Sequence, residues 1–181
     1  MKNPKILLSA LAVILFGSIA GCSNTTKSPD VTGTIRTSLN QAGLSNVSVS
    51  QDRDKGIVTL SGNVPSENDK SQAESIAKSI ASPQVVANQI AVLPPGLEKD
   101  AKAINSDLDA GIDKNLDAIL ISNKLRDGVH YTVKNGVVTL TGDVSSQAAR
   151  SEVARLANSV PNVLQVVNSL QVKNQKATSP R

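Results

Sequence analysis

His130 is the chain's only histidine, the residue type that most often serves as a general base. It lies in Val129-His130-Tyr131-Thr132-Val133, where period-two alternation puts it on the face opposite Val129, Tyr131 and Val133. That reads as a solvent-facing strand residue rather than a general base. No Gly-x-Ser-x-Gly, phosphate loop or metal-ligand spacing is present. Asp107, Asp109 and Asp113 gather where the pattern suggests a helix start, and capping and the helix dipole account for the first two. A calcium site would need more oxygen ligands at loop spacing. Asp52 and Asp54 flank Arg53 and Lys55 in what reads as a solvated turn. These residues predict no catalytic group, no metal, no cofactor and no small-molecule substrate.

Partners are narrowed by what is missing. Met1 and Phe16 lie in an N-terminal leader, so Tyr131 is the one aromatic outside it. Single-stranded nucleic acid is held on stacked aromatics and quaternary ammonium groups in aromatic cages, and neither is on offer. The leader has Lys2 and Lys5 before an apolar run from Ile6 to Ala20. That run is shorter than the roughly 20 residues a membrane span needs, and with small residues at its end it has the form of a secretory signal. Its end, Ile19-Ala20-Gly21-Cys22, holds the single cysteine and resembles the lipobox of bacterial lipoproteins, in which the cysteine carries the lipid. The resemblance implies lipidation at Cys22, and Ser23 after it implies the outer membrane. A lone cysteine also excludes internal disulfides.

Losing residues 1–21 takes Lys2 and Lys5 away and leaves 17 basic against 15 acidic residues. Residues 22–93 carry six of each sign, residues 94–116 three basic and five acidic, and residues 117–181 eight basic and four acidic. The basic excess thus lies late in the chain. Its members Lys124, Arg126, Arg150 and Arg155 are the candidates for contact with anionic headgroups, each worth roughly 1 kcal/mol near a membrane surface. Arg150 and Arg155 are not one helical turn apart, so they form no tight pair.

The elements that must position these residues follow from periodicity. Asp30 reads as an N-cap, and Val31, Ile35, Leu39 and Ala42 as one helical face stopped by Gly43. Val47 and Val49, then Ile57 to Leu60, read as a hairpin whose turn closes at Gly56 and whose second strand ends at Ser61-Gly62-Asn63. Ser66 with Asp69 has capping-box spacing before the face Ala73, Ile76, Ala77 and Ile80. Val85, Val86, Ile90 and Val92 make a third strand. After the break at Leu93-Pro94-Pro95-Gly96 the pattern restarts. Ser106 with Asp109 looks like a second cap, and Leu108, Ile112, Leu116 and Leu120 like a second core face.

The restart is a repeat. Gly56-Ile57-Val58-Thr59-Leu60-Ser61-Gly62-Asn63-Val64 returns eighty residues later as Gly136-Val137-Val138-Thr139-Leu140-Thr141-Gly142-Asp143-Val144. The register persists through Val153, Leu156, Ala157 and Val160, and from Asn88-x-Ile90-x-Val92 to Asn168-x-Leu170-x-Val172. The predicted boundaries are a leader at 1–21, a tether at 22–29, one module at 30–93, a linker at 94–105, a second module at 106–173 and a disordered tail at 174–181. Modules of about 65 residues lie near the lower limit for an independent core, so the two are expected to pack together or to share a stabilising linker.

The strand motif around Gly136 and Gly142, the Ala-rich helix and the Asn168-x-Leu170-x-Val172 run resemble the BON domain (bacterial OsmY and nodulation). The first copy matches through Gly56, Gly62 and Asn88, and departs at Ala81-Ser82-Pro83. The resemblance implies an α+β fold, with two helices on a three-stranded mixed sheet in each module. It implies a non-enzymatic outer-membrane lipoprotein that faces the periplasm, binds phospholipid and supports envelope integrity under osmotic stress. The alternative is an interaction or chaperone-like module for other envelope proteins.

Overall fold

The computed structural model describes residues 27–173. Cys22, the leader, most of the tether and the tail at 174–181 lie outside the described residues. The first module consists of α1 (Thr32–Gln41), β1 (Val47–Asp52), β2 (Ile57–Val64), α2 (Glu67–Ala81), β3 (Val85–Asn88) and β4 (Ala91–Val92). The second repeats it as α3 (Glu98–Ser122), β5 (Val129–Lys134), β6 (Val137–Val144), α4 (Gln147–Asn158), β7 (Gln165–Asn168) and β8 (Gln171–Val172). The fold is α+β. In each sheet the second strand is central, antiparallel to its hairpin partner and parallel to the two short strands beyond the helix.

Local chemistry explains the elements. The N-cap of α1 is Val31, not the expected Asp30, and no side chain caps it; Asp30, one residue earlier, accepts the Thr32 N–H at 3.0 Å in a local turn that leads into the helix. Gly43, at φ 78°, closes it: Leu44 N–H reaches back to the Leu39 carbonyl and Gly43 N–H to that of Asn40, a Schellman ending. Ser66 accepts from Asp69 N–H and donates to its carboxylate at 2.6 Å, the predicted reciprocal cap of α2. Ser146 does the backbone half of the same job for α4. The second hairpin turns through Asn135 and Gly136 at φ 48° and 75°, the two-residue form that suits the twist of the strands. The first hairpin uses four residues, Arg53–Gly56, between the paired Asp52 and Ile57.

Each core lies between one sheet face and its two helices. Ile35, Leu39, Val58, Leu60, Ala73 and Ala77 are fully buried in the first, and Leu116, Leu120, Val138, Leu140, Val153 and Ala157 in the second. Asn88 and Asn168 fasten strand to helix. The Asn88 amide donates to the Lys70 carbonyl at 3.3 Å and the Glu74 carboxylate at 2.9 Å, and that of Asn168 to the Arg150 carbonyl at 3.2 Å. Their side-chain oxygens accept from Ile90 and Leu170 N–H, holding the kink that splits the expected third strand into β3–β4 and β7–β8.

Three further expectations are corrected. The central strands do not stop at Gly62 and Gly142 but run on to Val64 and Val144. Both glycines bend the strand at φ 107° and 105°, and a Cβ on either would run into a carbonyl oxygen, that of Asn46 or Gly128. Ser106 starts no helix, because α3 is continuous for 25 residues from Glu98, which the alternating good helix formers before it permit. Leu108 leaves the core pattern: it is 40% exposed, while Ile112, Leu116 and Leu120 are buried.

The modules dock through the sheet faces turned away from the helices. Ile57, Ala87, Val137 and Val167 form a separate buried cluster. Ile57 and Val137, like Ala87 and Val167, are equivalent positions eighty residues apart, so the same patch of each copy meets the other, as in a two-fold dimer. Two polar links flank it. The Gln165 side chain accepts from Asn88 N–H at 3.1 Å and donates to the Val86 carbonyl at 2.7 Å, occupying the open edge of β3. Asn135 donates to the Gln89 carbonyl at 2.7 Å.

Candidate functional site

Surface features that differ between the copies are the candidates for function, since the shared residues build the fold. One such difference lies where the C-terminal half of α3 meets the edge strand β5. There an open concavity of about 630 Å³ is lined by Asp113, Lys114, Asp117, Ala118, Ile121, Arg126, His130 and Tyr131. Lys114, Ala118 and Ile121 share one helical face at spacings of four and three. Ile121 is 58% exposed. Lys124 follows it just past the helix end, at φ 57°. At the offset of 81 residues that relates α1 to α3, Lys114, Ile121 and Lys124 correspond to Gly33, Asn40 and Gly43. The apolar tip and its flanking cations therefore exist in the second module alone.

The four basic candidates do not converge. Lys124 and Arg126 stand together at the end of α3, while Arg150 and Arg155 ride on α4. Lys124 takes the left-handed position that Gly43 fills in the first copy, with Leu125 N–H returning to the Leu120 carbonyl. Arg126 is engaged: Nε pairs with Asp117 at 2.7 Å, a second nitrogen donates to the Val129 carbonyl, and the guanidinium lies 5.4 Å from the Tyr131 ring centroid. In the first module Arg36, on α1, donates to the Val49 carbonyl two residues further along the edge strand, so an arginine lies against the outer edge of each sheet and hinders further pairing there. Arg155 is held by both oxygens of Glu152 at 2.8 and 2.6 Å, and Arg150 donates to the Asn168 carbonyl at 3.3 Å.

His130 is exposed on the sheet face opposite Val129, as its place in the strand predicts, and at the sheet edge it also reaches the concavity. The Tyr131 hydroxyl donates to the Asp113 carbonyl at 3.2 Å. Burial raises the Tyr131 phenol above its usual range, and the Asp113 and Asp117 carboxylates push the same way. Among the described residues no three His, Cys, Asp or Glu side chains gather as metal ligands, and no helix is long and apolar enough to cross a membrane.

Asp109, expected to serve a helix N-terminus, caps a turn instead. Its two carboxylate oxygens accept Asn135 N–H at 2.7 Å and Gly136 N–H at 2.8 Å. Sequence reasoning passed over Gln165, Asn135, Ile104 and Leu164. Their signal was faint: Gln165 stands where the first copy has Val85, a polar residue in an otherwise apolar strand position.

Comparison with protein families finds the BON domain twice, over residues 28–94 and 108–174. Comparison with curated proteins gives no match. Among solved structures the chain is similar to the C-terminal domain of CdsD, described as the structural protein of the type III secretion system of Chlamydia trachomatis. Identity is 14% and the TM-score 0.34, covering 81% of this chain and 99% of that one. A second CdsD structure gives 15% identity and a TM-score of 0.35 over 80% and 92% of the two chains.

Proposed function

Because the chain belongs to the BON domain family, with two copies spanning most of its length, we propose that it is an envelope lipoprotein whose second module docks on anionic phospholipid through the C-terminal end of α3. The observation that carries this is Ile121, an exposed aliphatic tip beside Lys114 and Lys124, with Gly33, Asn40 and Gly43 in the corresponding places of the first module. Burying such a side chain in the headgroup boundary contributes about 1.5–3 kcal/mol, and each lysine near an anionic surface about 1 kcal/mol. One tip and two lysines make a weak, reversible contact, which suits a module already held near the bilayer by an anchor. Cys22 is the proposed anchor, the outer membrane the proposed site and the periplasm the proposed compartment. The protein acts by binding, not by catalysis, and its role is support of the envelope under osmotic stress.

Flotation of the Ser23–Arg181 fragment with vesicles tests the reading. Binding is expected to vesicles rich in phosphatidylglycerol and not to phosphatidylcholine, and to fall sharply for Ile121→Asp and Lys124→Glu. Equal behaviour on the two vesicle types overturns it. Cross-linking in envelopes that recovers one protein reproducibly, with no lipid dependence, would favour the interaction-module alternative. Palmitate labelling of the full chain, lost in Cys22→Ala, tests the anchor.

A further inference from the structure

The first half of α3 packs into neither core. The second core begins at Ile112, yet the preceding turns carry Leu97, Ala101, Ile104 and Leu108 at helical spacing, an apolar stripe with no core beneath it. Ile104 and Leu108 are 59% and 40% exposed, and across from them Leu164 is 72% exposed. With Ile90, Val92 and Pro94 they line a groove of about 370 Å³ at the junction of the modules. That volume lies within the roughly 300–1,000 Å³ of small-molecule sites. The corresponding surface of the second module, around Arg150, Leu170 and Val172, has no such helix over it. The overhang therefore creates the groove.

The chemistry of the walls selects an occupant. On the groove floor the polar groups are largely satisfied: Asp109 takes the Asn135 and Gly136 N–H groups, and the Asn135 amide donates to the Gln89 carbonyl, which leaves the Asn105 and Asn162 side chains without a hydrogen bond among the described residues. An extended peptide laid here could pair with little beyond Asn105 and Asn162 and would bury most of its amides without partners, whereas an acyl chain has none to satisfy. At the rim, Lys70 and Glu67 stand one turn apart on α2, and neither has an ion-pair partner among the described residues. A cation beside an anion complements a head that carries a phosphate and an ammonium.

We propose that this inter-module groove binds one acyl chain of a lysophospholipid, with the head phosphate on Lys70 and the head ammonium on Glu67. It is a site for single lipid molecules, separate from the membrane contact at Ile121. The Ser23–Arg181 fragment keeps both modules entire and removes the protein's own acyl chains as competitors. Titrating it with lysophosphatidylethanolamine below the lipid's aggregation threshold should give saturable methyl shifts at Ile104, Leu108 and Leu164, with the Ile112 and Leu116 methyls unmoved. Leu164→Asp and Ile104→Asp should each weaken binding at least tenfold. Lys70→Glu should weaken it about tenfold, the worth of one charge-assisted contact. Dodecanoate, which lacks the ammonium, should bind more weakly. Absence of saturable shifts, or an affinity indifferent to Leu164→Asp, overturns the proposal, and equal affinity for dodecanoate overturns the assignment of the head. Lys124→Glu should leave this titration unchanged while sharply lowering vesicle flotation. Leu164→Asp should do the reverse, so the two sites fail independently.

Discussion

Gln165 makes two hydrogen bonds between the modules, and Gln165→Leu is the perturbation that measures them. The side chain lies along the free edge of β3 and does the work of a neighbouring strand, accepting from Asn88 N–H at 3.1 Å and donating to the Val86 carbonyl at 2.7 Å. Leucine keeps the approximate volume and removes both bonds. Each such bond contributes about 0.5–1.5 kcal/mol net, so the pair contributes about 1–3 kcal/mol. The buried cluster of Ile57, Ala87, Val137 and Val167 survives the change, so the modules should loosen along one edge rather than separate. Amide hydrogen exchange at Asn88 reads this directly, because its N–H is one of the two groups released. A loss of about 1–3 kcal/mol corresponds to exchange about 5–150-fold faster. The core amides of α1 and α3 should keep their rates. If Asn88 exchange changes less than about twofold, the bridge does not hold the β3 edge. If the core amides accelerate equally, the modules unfold as one unit and the reasoning about a local edge is wrong.

Gly142→Ala should cost more than about 3 kcal/mol and unfold the second module before the first. The new Cβ meets the Gly128 carbonyl and the backbone cannot leave φ 105° without breaking β6, which thermal melting followed by circular dichroism would detect. Lys124→Gly should stabilise by about 0.5–1 kcal/mol in urea unfolding, by relieving a left-handed lysine, and should lower vesicle affinity at the same time. Glu74→Gln should flatten the acid limb of stability. Burial alone would raise the Glu74 carboxyl, but the Asn88 and Lys78 hydrogen bonds outweigh it and hold the carboxyl below its usual value. Its contribution is therefore complete above the ordinary glutamate range of about 4.3 and is lost as pH falls through the lower folded value. Ala154 takes this place in the second module, so urea midpoints of the two modules should diverge on acidification in the native chain and not in the variant.

The repeat, the order of elements and most of the core are legible along the chain, because they are written in short-range terms. The alternation in Ile57–Val64, the reciprocal cap of Ser66 and Asp69, and the helix stop at Gly43 each need only neighbours along the chain. The same local logic misplaced Asp109 and Leu108. Ser106-x-x-Asp109 has the spacing of a cap, but its carboxylate finds two unpaired N–H groups in a turn more than twenty residues away. Leu108 keeps the helical spacing of Leu116 and Leu120, yet no sheet lies beneath that turn. No local pattern encodes that Gln165 serves as a substitute strand for the other module, that Arg126 engages Asp117 and the Val129 carbonyl, or that Ile121 stays exposed. Those outcomes depend on how the two copies meet, through a patch whose residues, Ile57, Ala87, Val137 and Val167, look along the chain like any other strand positions. Periodicity records which face of an element is apolar; it does not record what lies opposite, and in this protein the opposite surface is a second copy of itself.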